Sequence, residues 1–500
     1  MMILRSEARQ GERAQRGTAA PLTVSNAGAR VHLVHAGDEP GPWLTGLAGR
    51  LGPVRPGEAV VLVGTPLDGT GRAELCDLLD PVLKRDRDAH VRLLLLVMST
   101  GAEDSGSRRS AARLLSERWG FDVLAASGVA LVAPDGSLFS PDLPGEPGGW
   151  WHFAPGAVPR PVGSRVPLSG WEAALKAIPV QEVAGHVVEP VPAGLVVRPV
   201  GPVSAMTRTL PHAVPPDRGG PQLIVASPDV PAAVPAVVMA ALPETVRGTM
   251  RLLSLDVRSV VRTGRQIADL MGTPVRVGLG LPVILDGALR DGASAGDATA
   301  ELRTINSDGR PSWRPFAQTV VCEPADGPGA GRVRVTEWRV PAASLSGGSG
   351  PDALPLGREW EATVTPAGLW IGPRGEVPPR TAATRAVSPD TVAIDLGVEH
   401  GPHDSLWPAL DLMFGQLETE VRERVVVHVH GLLDTGSAKH LRGVTARHGL
   451  GLGRPARREC AGTGTASAMG SGPHTRACRE PEGDAENAAY ARLQAWLVTV

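Results

Sequence analysis

Two segments of the chain carry almost the same short sequence, and this repeat constrains the fold more than any other feature. Residues 192–199 read PAGLVVRP, and residues 366–373 read PAGLWIGP. After each copy the chain runs through an apolar strand-like segment, a helix-like segment, a second apolar segment, a second helix-like segment and a glycine. Residues 1–150 contain a third version of this order. A shared motif followed by a shared order of elements is typical of an internal duplication.

Hydrophobic periodicity predicts the elements of the three copies. Short apolar runs indicate buried strands, and apolar residues at intervals of three and four indicate helices. We predict strands at residues 31–35, 59–63, 91–98, 123–125, 129–133, 223–226, 250–255, 275–277, 392–396 and 425–430. We predict helices at residues 43–51, 73–84, 108–119, 234–242, 264–271, 406–417 and 437–448. Gly120, Gly272 and Gly449 follow the last helix of each copy and are predicted to end it.

The predicted fold class is α/β, with three tandem small Rossmann-like units that have mostly parallel sheets. Each unit is expected to carry a trailing β-hairpin, and Asp-Gly turns at residues 135–136 and 308–309 mark it in the first two. The third lacks this turn and is predicted to be truncated. The predicted units are residues 29–175, 190–345 and 356–453. Residues 1–28 and 454–487 are predicted to be disordered, and residues 488–500 form a candidate terminal helix.

Composition limits the class of protein. A chain of 500 residues corresponds to about three domains. The formal net charge of −2 gives no overall field that would favour nucleic acid or an anionic membrane, so neither partner is predicted. Ala, Val, Arg and Gly are abundant and Lys is scarce, which is typical of a high-GC genome such as an actinobacterial one.

The cysteines and the amino-terminal residues indicate a compartment. The four cysteines are scattered and form no CxxC motif, so a reducing cytoplasm is predicted. No apolar signal-peptide core is visible near the amino terminus, and the apolar run at residues 91–98 is too short to span a bilayer. We expect a cytoplasmic protein with a protein partner and without a cofactor.

Four motifs in the first copy occur in an order that is known from a protease family. They are VVLVG at residues 60–64, LLLLVMSTG at 93–101, WGFDV at 119–123 and APDG at 133–136. Residues 59–140 thereby resemble the caspase-like cysteine peptidases, in particular the self-cleaving cysteine peptidase domains of large bacterial toxins. The resemblance implies a caspase-like fold and a toxin-associated or secretion-associated origin.

The resemblance also implies where a catalytic pair would lie. The family's histidine position falls at Val63, and its cysteine position falls at Met98 or Ser99. Cysteine peptidases need a thiolate as nucleophile and an imidazole to move the proton, and neither is present here. Ser99 is the remaining candidate nucleophile, with a turn or cap role as the alternative. The corresponding residues in the other copies are Asp256 and His430, so no single chemistry is retained.

The third copy holds six of the 13 histidines, which raises the alternative of a metal site. His428 and His430 alternate along a predicted strand and therefore share one face. Two imidazoles on one face can chelate a metal ion, with Asp434 or His440 as a third ligand. No HExxH motif accompanies them, so a structural role for these histidines is the competing interpretation.

Three further motifs are candidate sites. Cys460, His474 and Cys478 could supply zinc ligands but lack a paired CxxC spacing. Residues 64–71 follow a strand as a phosphate-binding loop would, but they lack the Gly-Lys-Ser/Thr ending. The aromatic residues within 150–153 are predicted to cover a hairpin face, with an exposed binding patch as the alternative.

These observations predict a non-catalytic scaffold or protein-interaction module built from degenerate repeats. Three different residues at one reactive position argue for a pseudoenzyme. The alternative is a hydrolase that uses Ser99 as nucleophile or a metal ion held by His428 and His430.

Overall fold

The computed structural model shows a mixed α/β protein, which confirms the predicted class. It describes residues 21–65, 71–98, 101–102, 109–133, 135–141, 148–168, 170–175, 181–217, 219–283, 300–325, 331–342, 353–398 and 404–453. The chain divides into two compact units. The first comprises Met1–Ile224, Leu242–Met250 and Pro282–Glu301, and the second comprises Val225–Ala241, Arg251–Leu281 and Leu302–Val500. Among the described residues, no helix is both long enough and apolar enough to cross a membrane.

The amino-terminal half of the chain contains fourteen short strands and five helices within its described residues. The strands are β1 (Leu22–Gly28), β2 (Val31–Ala36), β3 (Glu58–Val63), β4 (Leu93–Val97), β5 (Asp122–Ala126), β6 (Leu131–Val132), β7 (Leu138–Phe139), β8 (Trp150–Phe153), β9 (Arg160–Gly163), β10 (Arg165–Val166), β11 (Gln181–Val183), β12 (His186–Val191), β13 (Gly194–Pro199) and β14 (Gln222–Val225). The helices are α1 (Pro42–Gly49), α2 (Gly71–Asp88), α3 (Ala111–Trp119), α4 (Glu172–Leu175) and α5 (Ala205–Ala213).

The remaining described residues form further strands and helices of the same kinds. The strands are β15 (Arg251–Ser254), β16 (Val275–Gly278), β17 (Leu281–Val283), β18 (Glu301–Arg303), β19 (Ala317–Cys322), β20 (Val333–Trp338), β21 (Ala353–Leu356), β22 (Trp360–Thr365), β23 (Gly368–Pro373), β24 (Val392–Gly397), β25 (Val425–His430) and β26 (Gly451–Leu452). The helices are α6 (Ala233–Ala240), α7 (Glu244–Arg247), α8 (Val257–Met271), α9 (Arg380–Ala383), α10 (Leu406–Gln416), α11 (Thr419–Arg422) and α12 (Thr435–Arg447).

The first unit contains a seven-stranded sheet in the order β1-β2-β3-β4-β5-β8-β9. Strands β2 to β5 are parallel, whereas β1, β8 and β9 are antiparallel to their neighbours. Alternate residues of each strand enter different cores, as a sheet covered on both faces requires. Val61 packs with Leu79 of α2 on one face. Leu62 packs with Leu44 of α1 on the other.

The other strands follow the same plan of antiparallel edges beside parallel strands. Strands β11 to β13 pair antiparallel, and β14 follows β13 in the strand order. In the second unit, β15 and β16 are parallel, and β19 and β20 continue antiparallel. A six-stranded sheet in the second unit has the order β21-β22-β23-β24-β25-β26, in which β21 to β23 are antiparallel and β23 to β26 are parallel.

The repeated PAGL motif forms the same structure at both places. Its Pro-Ala pair makes the turn between β12 and β13 in one copy and between β22 and β23 in the other. Gly194 has φ 150° and Gly368 has φ 154°, a region that L side chains avoid. A Cβ at Gly194 would overlap the carbonyl oxygen of Gln222, and one at Gly368 would overlap that of Ala393. The motif therefore permits the hairpin to approach the backbone of the next strand.

Most predicted elements are present within a few residues of their predicted bounds, but several boundaries were wrong. Residues 22–28, predicted to be disordered, form β1, and β11 and β21 likewise precede the predicted unit starts at 190 and 356. Strand β1 is half-exposed and lacks the apolar run that revealed the central strands. Helix α8 begins before residue 264 because Asp256 accepts a hydrogen bond from the Arg258 amide and caps it.

Other predictions have mixed outcomes. Gly120, Gly272 and Gly449 adopt positive φ after their helices, as predicted. Trp150 is fully buried and belongs to the core, so the alternative of an exposed aromatic patch at residues 150–153 is wrong. The predicted tail at residues 454–487, the terminal helix at 488–500 and the middle of the loop at 64–71 lie outside the described residues.

We predict that Gly368→Ala lowers the free energy of unfolding by about 2 kcal/mol or more, because the new Cβ overlaps backbone and φ is unfavourable. Gly443→Ala is the matched control, because Gly443 lies inside α12 with open space around it. This control should be stabilised by about 1 kcal/mol. Urea unfolding monitored by circular dichroism measures the free energy of unfolding of both variants. Equal effects of the two substitutions would contradict the prediction.

Candidate functional site

Two adjacent parallel strands of the six-stranded sheet bring charged side chains together near their carboxyl ends. Asp395 lies in β24 and pairs in register with His428, while His430 is the last residue of β25. In open α/β sheets, ligands bind outside the carboxyl ends of the strands. The carboxyl end of this sheet is therefore the candidate functional site.

The Asp395 carboxylate is held by two partners. His430 Nε2 lies 2.6 Å from Asp395 Oδ1. Arg385, which follows α9, donates from Nη2 to Oδ1 at 2.6 Å and from Nε to Oδ2 at 3.2 Å. Asp395 is 0% exposed, whereas the His430 side chain is 10% exposed and that of Arg385 is 30% exposed. The carboxylate is therefore buried at the centre of the group, and the guanidinium reaches solvent.

The electrostatics of the group follow from this geometry. Burial alone would raise the pKa of Asp395, but hydrogen bonds from His430 and Arg385 outweigh it and hold the pKa below its ordinary value. The pKa of His428 is lowered by burial and next by the positive charge of Arg385. The site thus keeps Asp395 ionised and favours a neutral imidazole at His428.

Trp370 of β23 forms one wall of this group. Its ring lies edge-on to His430 with ring centroids 5.5 Å apart. Gly397 at the end of β24 leaves room for it, because a Cβ there would overlap the indole ring. Its buried Nε1 has no hydrogen-bond partner among the described residues. Packing therefore fixes the imidazole on one side while Asp395 fixes it at Nε2.

A carboxylate that orients an imidazole is the base half of a catalytic triad. The missing half is a hydroxyl, thiol or water at the other imidazole nitrogen. In the part of the chain that the structure describes, the contacts recorded for the His430 ring are those with Asp395 and Trp370. The same arrangement is also what a buried structural ion pair needs, since a buried charge must be paired.

The structure does not bring the predicted metal ligands together. Asp434 caps α12 by accepting hydrogen bonds from the Ser437 amide at 2.9 Å and the Ser437 hydroxyl at 2.8 Å. His440 stacks on Trp407 with ring centroids 5.8 Å apart. Across the described ranges, no group of three or more His, Cys, Asp and Glu side chains could hold a metal ion.

Of the two residues that could occupy the family's cysteine position in the first copy, the structure describes one. Ser99 lies outside the described residues, as do Cys460, His474 and Cys478. Met98, the other residue at that position, is buried in the core.

Three histidines of the first copy, His32, His35 and His152, have partners in the surrounding structure. His32 uses both ring nitrogens, since Nε2 lies 2.7 Å from Asp86 Oδ2 and Nδ1 lies 2.8 Å from Asn26 Oδ1. His35 Nε2 lies 3.0 Å from Ser25 Oγ, and His152 Nε2 lies 3.5 Å from Asp122 Oδ2.

The sequence analysis missed Asp395 and Arg385. Asp395 sits inside the apolar run VAIDLG, and a lone carboxylate in a buried strand indicates a buried partner. That signal was present, but the partner could not be named. Arg385 lies in a short connection whose approach to β24 depends on the tertiary fold.

A comparison of the chain with protein-family models, with curated proteins and with solved structures found no match in any of the three.

We predict that Asp395→Asn lowers the free energy of unfolding at pH 7 by about 3 kcal/mol, because Arg385 and His430 lose their buried counter-charge. The pKa of Asp395 is lower in the folded state, so its contribution is complete above the ordinary aspartate value of 3.8 and is lost as pH falls through the folded value. The stability gap between wild type and variant should therefore narrow as the solution is acidified.

Unfolding titrations from pH 7 to pH 2 measure this gap. Asp404→Asn is the control, because Asp404 is exposed, and it should leave the stability unchanged. A gap between wild type and Asp395→Asn that is constant with pH would contradict the assignment.

Proposed function

We propose that the chain is a non-catalytic scaffold or protein-interaction module made of three degenerate α/β repeats. In this proposal the positions that carry chemistry in caspase-like peptidases have taken on structural roles. The caspase-like resemblance itself remains a prediction from residues 59–140.

The strand pairing supports three repeats of one topology. The seven-stranded and the six-stranded sheets both have an antiparallel pair that leads into four parallel strands. These parallel strands are β2 to β5 and β23 to β26. Strands β16, β19 and β20 follow one another antiparallel, as β5, β8 and β9 do. The shared PAGL turn begins the parallel region in the third repeat and precedes β13, the neighbour of β14, in the second.

The contacts that join successive repeats carry the proposal. In the second unit, Trp313 is fully buried and donates from Nε1 to the carbonyl oxygen of Ser388 at 2.8 Å. Arg339 follows β20, stacks over Phe316 at 5.1 Å and donates to both carboxylate oxygens of Glu418 at 2.8 and 3.0 Å. These contacts tie the end of the second repeat to the third.

In the first unit, too, an arginine stacked on aromatic rings contacts the next repeat. Arg165 of β10 lies over Phe139 at 5.8 Å and over Trp171 at 5.1 Å. Its Nη2 donates at 3.3 Å to the carbonyl oxygen of Val191, which belongs to the second repeat. An arginine stacked on an aromatic ring thus joins one repeat to the next in both units. Interfaces between neighbouring repeats are what stabilise repeat scaffolds.

The reactive positions support the same conclusion. Asp256 caps α8, and His430 Nε2 lies within hydrogen-bond distance of the buried Asp395 carboxylate. Met98, the alternative to Ser99 in the first repeat, lies in the core. The described residues at this position therefore share no common chemistry.

A hydrolase is the second candidate, and one observation favours it. The 2.6 Å contact between His430 and Asp395 would orient the imidazole as a general base. This form of the hypothesis needs neither Ser99 nor a metal ion, because His430 could activate a water molecule.

Substrate turnover separates the two candidates. Purified full-length protein and His430→Ala should be assayed against chromogenic esters, peptides and phosphoesters. We expect the two proteins to give the same background hydrolysis, because a structural His430 contributes nothing to turnover. Hydrolysis that His430→Ala abolishes, while circular dichroism shows an intact fold, would establish the hydrolase instead.

We predict that Trp313→Ala destabilises the second unit by about 3–5 kcal/mol, because it empties a fully buried indole site between two repeats. Hydrogen exchange followed by mass spectrometry should show faster exchange both in β15, β16 and β19 and in β24 and β25. Leu412→Ala is the control, because Leu412 is exposed. Faster exchange confined to one side of Trp313 would contradict coupled repeats.

A further inference from the structure

The two faces of the seven-stranded sheet are covered unequally. In β4 and β5, Leu94 and Val123 belong to the core beneath α2 and α3 and are 0% exposed. Their neighbours Leu93 and Leu124 point to the opposite face and remain half-exposed, although β4 and β5 are paired with strands on both sides. A leucine in the middle of a sheet is normally buried by a covering layer, so this face keeps unfilled apolar surface.

This apolar surface is the floor of a cavity of about 730 Å³. The segment that follows α1, residues 51–55, forms one wall of the cavity, and further walls include Leu138, Val166 and Trp171. Small-molecule sites commonly enclose about 300–1,000 Å³ and have mainly apolar linings. The volume and the surrounding walls therefore favour a small molecule as the occupant.

Two aspartates of the lining have partners within the protein. Asp135 Oδ1 accepts from the Ser137 amide at 3.1 Å and from the Ser137 hydroxyl at 2.6 Å. Asp217 Oδ1 accepts from the Gly219 amide at 2.8 Å. These carboxylates serve the local turns, and the cavity does not depend on a ligand to satisfy them.

The other charged side chains of the described lining are paired or open to solvent. Arg165 Nε lies 3.3 Å from Glu172 Oε2. Glu58 Oε2 accepts from the Arg55 amide at 3.4 Å, and Arg55 itself is exposed. An ion that entered the cavity would lose hydration without gaining a buried counter-charge from these residues, which disfavours charged ligands.

We propose that this cavity binds one uncharged, largely hydrocarbon small molecule. Its body would cover Leu93 and Leu124 and contact the Trp171 ring. The removal of this apolar surface from water would drive binding. The inference goes beyond the scaffold proposal and does not rest on it, because a scaffold repeat and a hydrolase could each carry such a cavity.

Three probes with the same hydrocarbon chain test the chemistry by isothermal titration calorimetry on the full chain at pH 7. The probe 1-octanol is uncharged, octanoate carries a negative charge, and octylamine carries a positive charge once protonated. We expect 1-octanol to bind one to one and at least tenfold more tightly than either ion, because burial of an unpaired charge is unfavourable. No binding of 1-octanol, or equally tight binding of either ion, would overturn the proposal.

Two substitutions test the location of the site. Leu124→Trp should abolish binding of 1-octanol, because the larger side chain fills the cavity, and circular dichroism checks that this variant folds. Leu93→Gln makes the floor polar at a half-exposed position and should weaken binding severalfold. Val158→Gln is the matched control and should leave binding unchanged, because Val158 is 82% exposed in the same unit and lies outside the described lining.

The Leu93→Gln comparison decides the location if Leu124→Trp fails to fold. Unchanged binding of 1-octanol by a folded Leu124→Trp protein would overturn the proposal. Equal affinities of the Leu93→Gln and Val158→Gln proteins would overturn it as well.

Discussion

The two sheets that contain a PAGL turn depend on one constraint, which is the close approach of two backbones at that turn. At Gly368 the hairpin between β22 and β23 meets the backbone of Ala393 in β24, and no side chain fits between them. The Ala393 amide donates to the carbonyl oxygen of Ala367 at 2.9 Å across this junction. An antiparallel edge can therefore continue into parallel strands without a gap in the sheet. Gly194 meets the backbone of Gln222 in the same way, which explains why both places carry the same motif.

The choice of residues on the sheet faces is less constrained than the choice of residues at these junctions. Alternating apolar residues satisfy both faces of a covered sheet, and many combinations of Val, Leu and Ala do so. A filled core can therefore be kept while its individual residues change. Residues near the strand ends differ in their partners, since Asp256 accepts from the Arg258 amide whereas His430 contacts Asp395.

Arginine has two related uses in this protein. Arg165 and Arg339 stack on aromatic rings and donate to groups distant in the chain, while Arg385 binds a buried carboxylate. A planar guanidinium can stack and donate several hydrogen bonds at once, which lysine cannot do. The chain has few lysines, one tyrosine and five phenylalanines, and arginine and tryptophan supply the long-range contacts described above.

The sequence by itself determined the alternation of strands and helices, because hydrophobic periodicity reports burial directly and glycine marks helix ends. It also placed His428 and His430 on one strand. It did not reveal β1, whose half-exposed residues carry little periodic signal, nor the shorter strands β11 and β21, nor the pairing of Asp395 with His430 and Arg385. The arginine contacts with distant residues were likewise decided only by the tertiary structure. Their residues are distant in the chain, and only the packing of sheet, helix and hairpin brings the charges and rings together.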